Sequence, residues 1–194
     1  SILTVDYGTQ LSERYIPATN TWVNDGAIPV ALWDQVIGEI GGAFLFASGK
    51  AMYLGNTGHT AIYTPSGSNA PGSWAAGPDI PNRQSTPDAP GCVMVNGKLL
   101  CCAGPMSSPS NPFPGPTSFY EYDPVANAFT SAPAPNGTTD AGPTYIHAML
   151  HLPTGQVLMS HFGTDLYIYR PDGTPLAAGK PTISGITPNQ DGSF

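Results

Sequence analysis

The strongest constraint in this chain is a short apolar segment folded back on itself at a glycine, and it occurs three times. In Gly91-Cys92-Val93-Met94-Val95-Asn96-Gly97-Lys98-Leu99-Leu100-Cys101-Cys102, two apolar runs flank Asn96-Gly97. Asn and Gly both accept φ > 0, so the dipeptide predicts a two-residue type I′ turn and a tight β-hairpin. The runs are apolar at successive positions, so burial is expected on both faces. The pattern recurs from Phe44 to Leu54 and from Met149 to Met159, with turn glycines Gly49, Gly97 and Gly155 spaced 48 and 58 residues apart. A second marker keeps step: Tyr15-Ile16-Pro17, Tyr63-Thr64-Pro65, Tyr122-Asp123-Pro124 and Tyr169-Arg170-Pro171, spaced 48, 59 and 47. An aromatic follows the first three (Trp22, Trp74, Phe129), and then a proline (Pro29, Pro81, Pro135). Two markers sharing one period define an internal repeat.

Composition agrees with many short strands joined by turns. The 194 residues include 23 Gly and 22 Pro, with 40% hydrophobic and only 10% charged residues. Disordered chains show the reverse balance. A net charge of -7 with six Lys plus Arg argues against a nucleic-acid backbone as partner. No apolar run approaches the ~20 residues of a membrane-spanning helix. No signal peptide is visible, and the chain begins inside a strand-like Ile2-Leu3-Thr4-Val5, as a mature or excised chain would. Sparse Lys and loops rich in Ser, Thr and Asn point to an extracellular protein. In a two-residue hairpin Val95 faces Lys98, which sets Cys92 opposite Cys101 at a closely spaced, non-hydrogen-bonded site. A cross-strand disulfide is then geometrically allowed and would suit an oxidising compartment. The competing reading is three buried thiols acting as small apolar residues.

In chain order, residues 1–29 form a partial unit and 42–81, 91–135 and 147–180 form complete units of about four short antiparallel strands. Residues 30–41, 82–90 and 136–146 connect them. A Pro/Ser-rich loop from Gly104 to Ser118 is long enough to suggest a functional role. Repeated four-stranded units of this length describe an all-β propeller.

A Gly-turn hairpin followed by Tyr-x-Pro and Trp resembles the kelch repeat. More closely, Glu39-Ile40-Gly41, Tyr63-Thr64-Pro65, Trp74-x-x-Gly77-Pro78, Asp88-Ala89-Pro90 and Leu152-Pro153-Thr154-Gly155-Gln156-Val157-Leu158 resemble the galactose-oxidase-like kelch propellers of secreted bacterial and plant proteins. The paired glycines of a standard kelch repeat are replaced by Gly55-Asn56, Ala103-Gly104 and Ser160-His161. The resemblance implies a kelch-type propeller over residues 1–180, with about three full blades and a partial one out of six or seven. It also implies that Pro181-Thr182-Ile183-Ser184-Gly185-Ile186 opens residues 181–194 as an exit segment, the start of an immunoglobulin-like domain. Such an arc closes with missing blades, with another copy or partner chain, or on itself as a four-bladed ring.

In a propeller the connections and the second-to-third-strand loops share one face. Here they carry Trp33, Glu39, His59, Asp88, Phe113, Tyr145 and His161, with His147 just inside a strand. Ligands favour such loop faces. The leading expectation is a non-catalytic extracellular binding or scaffolding propeller, without cofactor. Its aromatics and acids would hold a carbohydrate or a protein partner. Packing between blades competes as the role of Trp33 and Phe113, and backbone capping as that of Glu39 and Asp88. The resemblance also offers a copper radical oxidase, whose site has two Tyr, two His and a Cys thioether-linked to Tyr. Here Ala89 stands before Pro90-Gly91 where the family has that Cys, and Ile146 splits Tyr145 from His147. A third reading is a structural subunit of an extracellular assembly, joined through open sheet edges.

Overall fold

The computed structural model describes residues 1–6, 8–177 and 183–193. Among the described residues it is all-β, with four antiparallel sheets and single-turn 3₁₀ segments at Pro81–Arg83 and Thr144–Ile146. The first sheet is β1 (Ile2–Val5), β2 (Leu11–Ile16) and β3 (Thr21–Ala27). The second is β4 (Ala43–Leu45), β5 (Ala51–Leu54), β6 (Thr60–Thr64) and β7 (Ser73–Ala76). The third is β8 (Gly91–Val93), β9 (Leu99–Ala103), β10 (Thr117–Asp123) and β11 (Ala128–Ala132), with β12 (Thr139–Asp140) paired to the start of β10. The fourth is β13 (His147–His151), β14 (Val157–His161) and β15 (Leu166–Tyr169). The last residues of the 147–180 unit and the opening of the exit segment, 178–182, lie outside the described residues, and 183–193 carry no strand.

All three glycine hairpins share one turn, and it is not the expected one. The N–H of Met94 donates to Lys98 O at 2.8 Å and that of Gly97 to Met94 O at 2.9 Å. Only Gly97 lies at positive φ, +84°; Asn96 does not. This is a three-residue loop, a type I turn closed by a left-handed glycine. Gly49 (φ +81°) and Gly155 (φ +84°) close the same loops, with Phe46 opposite Lys50 and Leu152 opposite Gln156. The extra residue shifts the register by one. Cys92 therefore faces Leu100, and Gly91 faces Cys101. A one-residue shift sends side chains to opposite faces. Cys92 joins the core between the third and fourth sheets, while Cys101 joins the core between the second and third. The Cys92–Cys101 disulfide that a two-residue turn would allow does not form; the competing reading holds, and all three cysteines are free and buried. Burial raises the Cys101 thiol to about 12 and Cys102 well above its usual value.

The same alternation stacks the sheets. Leu99 and Cys101 of β9 pack toward the second sheet, against Met52 and Leu54; Leu100 and Cys102 pack toward the fourth, against Val157 and Met159. Ile28, Leu32, Tyr53 and Ala61 fill the contact between the first and second sheets. The repeat markers are cross-strand aromatic pairs on one face. Tyr15 lies opposite Trp22, Tyr63 opposite Trp74 and Tyr122 opposite Phe129, with ring centroids 5.4, 5.1 and 5.1 Å apart. Such pairs add about 0.5–1.5 kcal/mol each beyond their buried area.

Polar staples cross two of the interfaces. Buried Asp25 pairs with Arg14 at 3.1 Å and accepts the hydroxyl of Tyr63 from the next sheet. Glu121 pairs with Lys98 at 3.1 Å and accepts the hydroxyl of Tyr169 at 2.9 Å. Burial first, and then the hydrogen bond to Asp25, raises the Tyr63 phenol to about 12. Among the described residues the stack does not close on itself. Trp22 is 52% exposed on the outer face of the first sheet and Leu150 60% exposed on that of the fourth.

The shared turn makes a specific prediction. A Cβ on Gly49 would meet nothing within 4 Å, so its positive φ is the only obstacle to substitution. Gly49→Ala should destabilise the fold by about 1 kcal/mol, lowering the urea midpoint with an unchanged slope.

Candidate metal centre

His147 opens β13, His161 ends β14, and the three-residue loop at Gly155 sets them directly opposite each other. Asp140 comes from a different sheet. It ends β12, held against Thr117 of β10, at the junction of the third and fourth sheets. His147 has a fully buried side chain. Its Nδ1 lies 3.2 Å from Thr144 O, a bond only an Nδ1–H can make. Nε2 is then left without a hydrogen-bond partner, aimed at Asp140 Oδ1 3.6 Å away. His161 Nδ1 lies 2.9 Å from Asp140 Oδ2. The rings are fixed by edge-on aromatic contacts: Phe119 on His147 at 5.4 Å and Tyr167 on His161 at 5.6 Å.

Two imidazoles and a carboxylate thus offer one ligand atom each, all within 4.8 Å of one another. A buried imidazole lone pair facing a carboxylate oxygen needs a positive charge between them, either a second proton on the ring or a metal ion. Imidazole with carboxylate suits a divalent first-row transition metal. The Thr144 carbonyl is the outer-shell acceptor that fixes a ligating tautomer. Burial works to raise the Asp140 carboxyl. The Gly142 N–H at 3.0 Å, the hydrogen bond with His161 and the fields of both imidazoles outweigh it and hold the carboxyl below its usual range.

The other expected site residues fall into separate groups. Phe113 and Tyr145 meet edge-on at 5.2 Å, and Phe162 joins them on Tyr145 at 5.9 Å. Tyr145 and Phe162 stand within two residues of His147 and His161 in sequence, and both are exposed. His59 forms an exposed pair with Asp79 at 2.8 Å. Half-buried Glu39 bridges Asp34 through its backbone; burial, and then the charge of Asp88, raises its carboxyl. Asp88 is exposed at φ +47°. Half-buried Trp33 lies over Gly8. Asp140 and Phe162 were not anticipated. The Asp140-Ala141-Gly142 turn, in which the carboxylate caps the Gly142 N–H, was the available clue to the first.

A depressed carboxyl stabilises the fold above the ordinary carboxyl pKa, about 3.9, and loses that contribution as pH falls through its folded value. Asp140→Asn should therefore lower stability at pH 7 and make the acid decline shallower than in the wild type, read from metal-free urea denaturation across pH.

No protein-family model matches the chain, and no curated protein matches it. Among solved structures it is similar to a fungal alcohol oxidase of the AA5 family, determined in complex with copper. The identity is 17% and the TM-score 0.51, over 78% of this chain. This chain spans 30% of the length of that oxidase. The likeness is one of fold.

Proposed function

We infer that this chain is a segment of a galactose-oxidase-like, kelch-type β-propeller that binds a divalent transition-metal ion through Asp140, His147 and His161. The observation that carries the reading is the buried Nε2 of His147, unpartnered and facing a carboxylate. Support for the propeller comes from the repeated sheets stacked in chain order and from the fold likeness to the AA5 oxidase. The role is binding rather than oxidation. Phe113, Tyr145 and Phe162 form an aromatic shelf suited to stacking a carbohydrate ring. Secretion is proposed on composition, namely the low charge and the Ser/Thr/Asn-rich loops; the three free cysteines carry no part of it. Among the described residues no helix is long and apolar enough to cross a membrane.

A copper radical oxidase is the second reading, favoured by the copper-bound neighbour. The donors here do not fit its cofactor. The radical site resembles a Tyr thioether-linked to Cys, whereas Cys92, Cys101 and Cys102 lie within β8 and β9, inside the sheet-to-sheet cores. Tyr167 meets His161 through its ring, with its hydroxyl 3.3 Å from Asn136 Nδ2. The ligand set provides a binding centre without that redox partner.

Calorimetric titration of chelator-treated protein with Zn²⁺ should give one site per chain. His147→Ala should weaken it by more than about 100-fold, beyond the 10–100-fold typical of an outer-shell partner. Equal affinity in wild type and variant would overturn the assignment. Copper loading should leave the polypeptide mass unchanged; a chain lighter by two hydrogens would mean a thioether and restore the oxidase.

A further inference from the structure

The backbone turn that presents Asp140 and His147 is pinned by two buried threonine hydroxyls. Thr117, fully buried, donates to Gly142 O at 2.8 Å, and the Gly142 N–H in turn holds the Asp140 carboxylate. Thr144 is 1% exposed and donates its hydroxyl to Pro87 O, in the connection that precedes the third sheet. The Thr144 carbonyl accepts two bonds from His147, one from its backbone N–H and one from its ring Nδ1–H. A hydroxyl committed to a buried carbonyl fixes the residue that carries it, because breaking the bond leaves both groups unsatisfied. The fixed carbonyl in turn holds the ring, with Nε2 facing Asp140 Oδ1 at 3.6 Å.

The third sheet has the same turn without the ligands. Thr86 and Thr144, Ala89 and His147, and Ala103 and His161 are each 58 residues apart, as are the turn glycines Gly97 and Gly155. Thr86 is also 1% exposed, and its hydroxyl donates to Gly55 O at 3.2 Å. Its carbonyl accepts the Ala89 N–H at 3.4 Å. The threonine turn is thus part of the repeat, and with alanine it holds backbone alone. The fourth unit hangs an imidazole on the same carbonyl, so there the turn also sets a tautomer and a ring direction. Comparing the two threonines separates the backbone role from the orienting one.

We propose that Thr144 is a positioning residue for His147: its hydroxyl bond to Pro87 holds the carbonyl that selects the Nδ1–H tautomer and aims Nε2 at Asp140. What the aimed nitrogen binds rests on the metal reading given above; the aim itself belongs to the metal-free protein.

Nitrogen–proton correlation spectra of the histidine rings, recorded in chelator with the imidazoles neutral, test it. Wild type and Thr144→Ser should show His147 as one tautomer, protonated on Nδ1. Thr144→Val keeps the shape and loses the hydroxyl, and should show His147 shared between the two tautomers; Thr144→Ala gives the same reading should the valine variant not fold. Thr86→Val removes the equivalent hydroxyl and should leave His147 as in wild type. In zinc titrations Thr144→Val should bind about 10–100-fold more weakly, the range of an outer-shell partner, and Thr86→Val as wild type. A wild-type His147 protonated on Nε2, a single Nδ1–H tautomer retained without the Thr144 hydroxyl, or the same change in Thr86→Val would each overturn the proposal. The expected ring spectra in a wild type that binds no zinc would uphold the positioning of His147 and overturn the metal assignment instead.

Discussion

A single left-handed glycine in each hairpin decides which way every side chain of that hairpin faces. With Gly49, Gly97 and Gly155 closing three-residue loops, β5, β9 and β14 send alternate residues to opposite cores. A sheet apolar on both faces cannot stand alone in water. It is stable only between two others, and the stack follows from that requirement. The buried staple at Glu121 depends on register too, because a one-residue slip of β10 against β9 would turn its carboxylate away from Tyr169. Such buried pairs act more through the cost of misplacing them than through net attraction.

The candidate metal centre is a product of this register. His147 and His161 are 14 residues apart in sequence and adjacent in space because the loop at Gly155 pairs them. Asp140 arrives by a separate route, as an extra short strand on the third sheet. The site therefore bridges two sheets and draws on both, with the Thr144 carbonyl setting one ring and the Gly142 N–H the carboxylate. Metal binding here would tie the third and fourth sheets together as well as offer a ligand position.

Much of the fold was readable in the chain because its markers are periodic. Tyr-x-Pro followed by an aromatic proved to be a cross-strand pair, and the strand expected at Ile2–Val5 stands there. The turn was misread because Asn96-Gly97 is compatible with two loops, and the sign of φ at Asn96 depends on strand pairing rather than on the dipeptide. That one residue cost the disulfide. It also hid the centre: a two-residue loop would not place His147 against His161, whereas the three-residue loop does. His147, His161, Tyr145 and Phe113 were all singled out, as parts of one loop face that also took in Trp33, Glu39, His59 and Asp88. Asp140 was not, because only the pairing of β12 with β10 brings it near them. The fold likeness to the AA5 oxidase agrees with the resemblance read from the repeats, while the donor set around His147 departs from the chemistry that resemblance carries.

The most direct test of the metal assignment is the zinc K-edge absorption spectrum of the loaded protein. The account predicts a first shell of nitrogen and oxygen only, at about 2.0–2.1 Å, with the outer-ring scattering of two imidazoles. A sulfur shell at about 2.3 Å, or a spectrum without imidazole scattering, would contradict it.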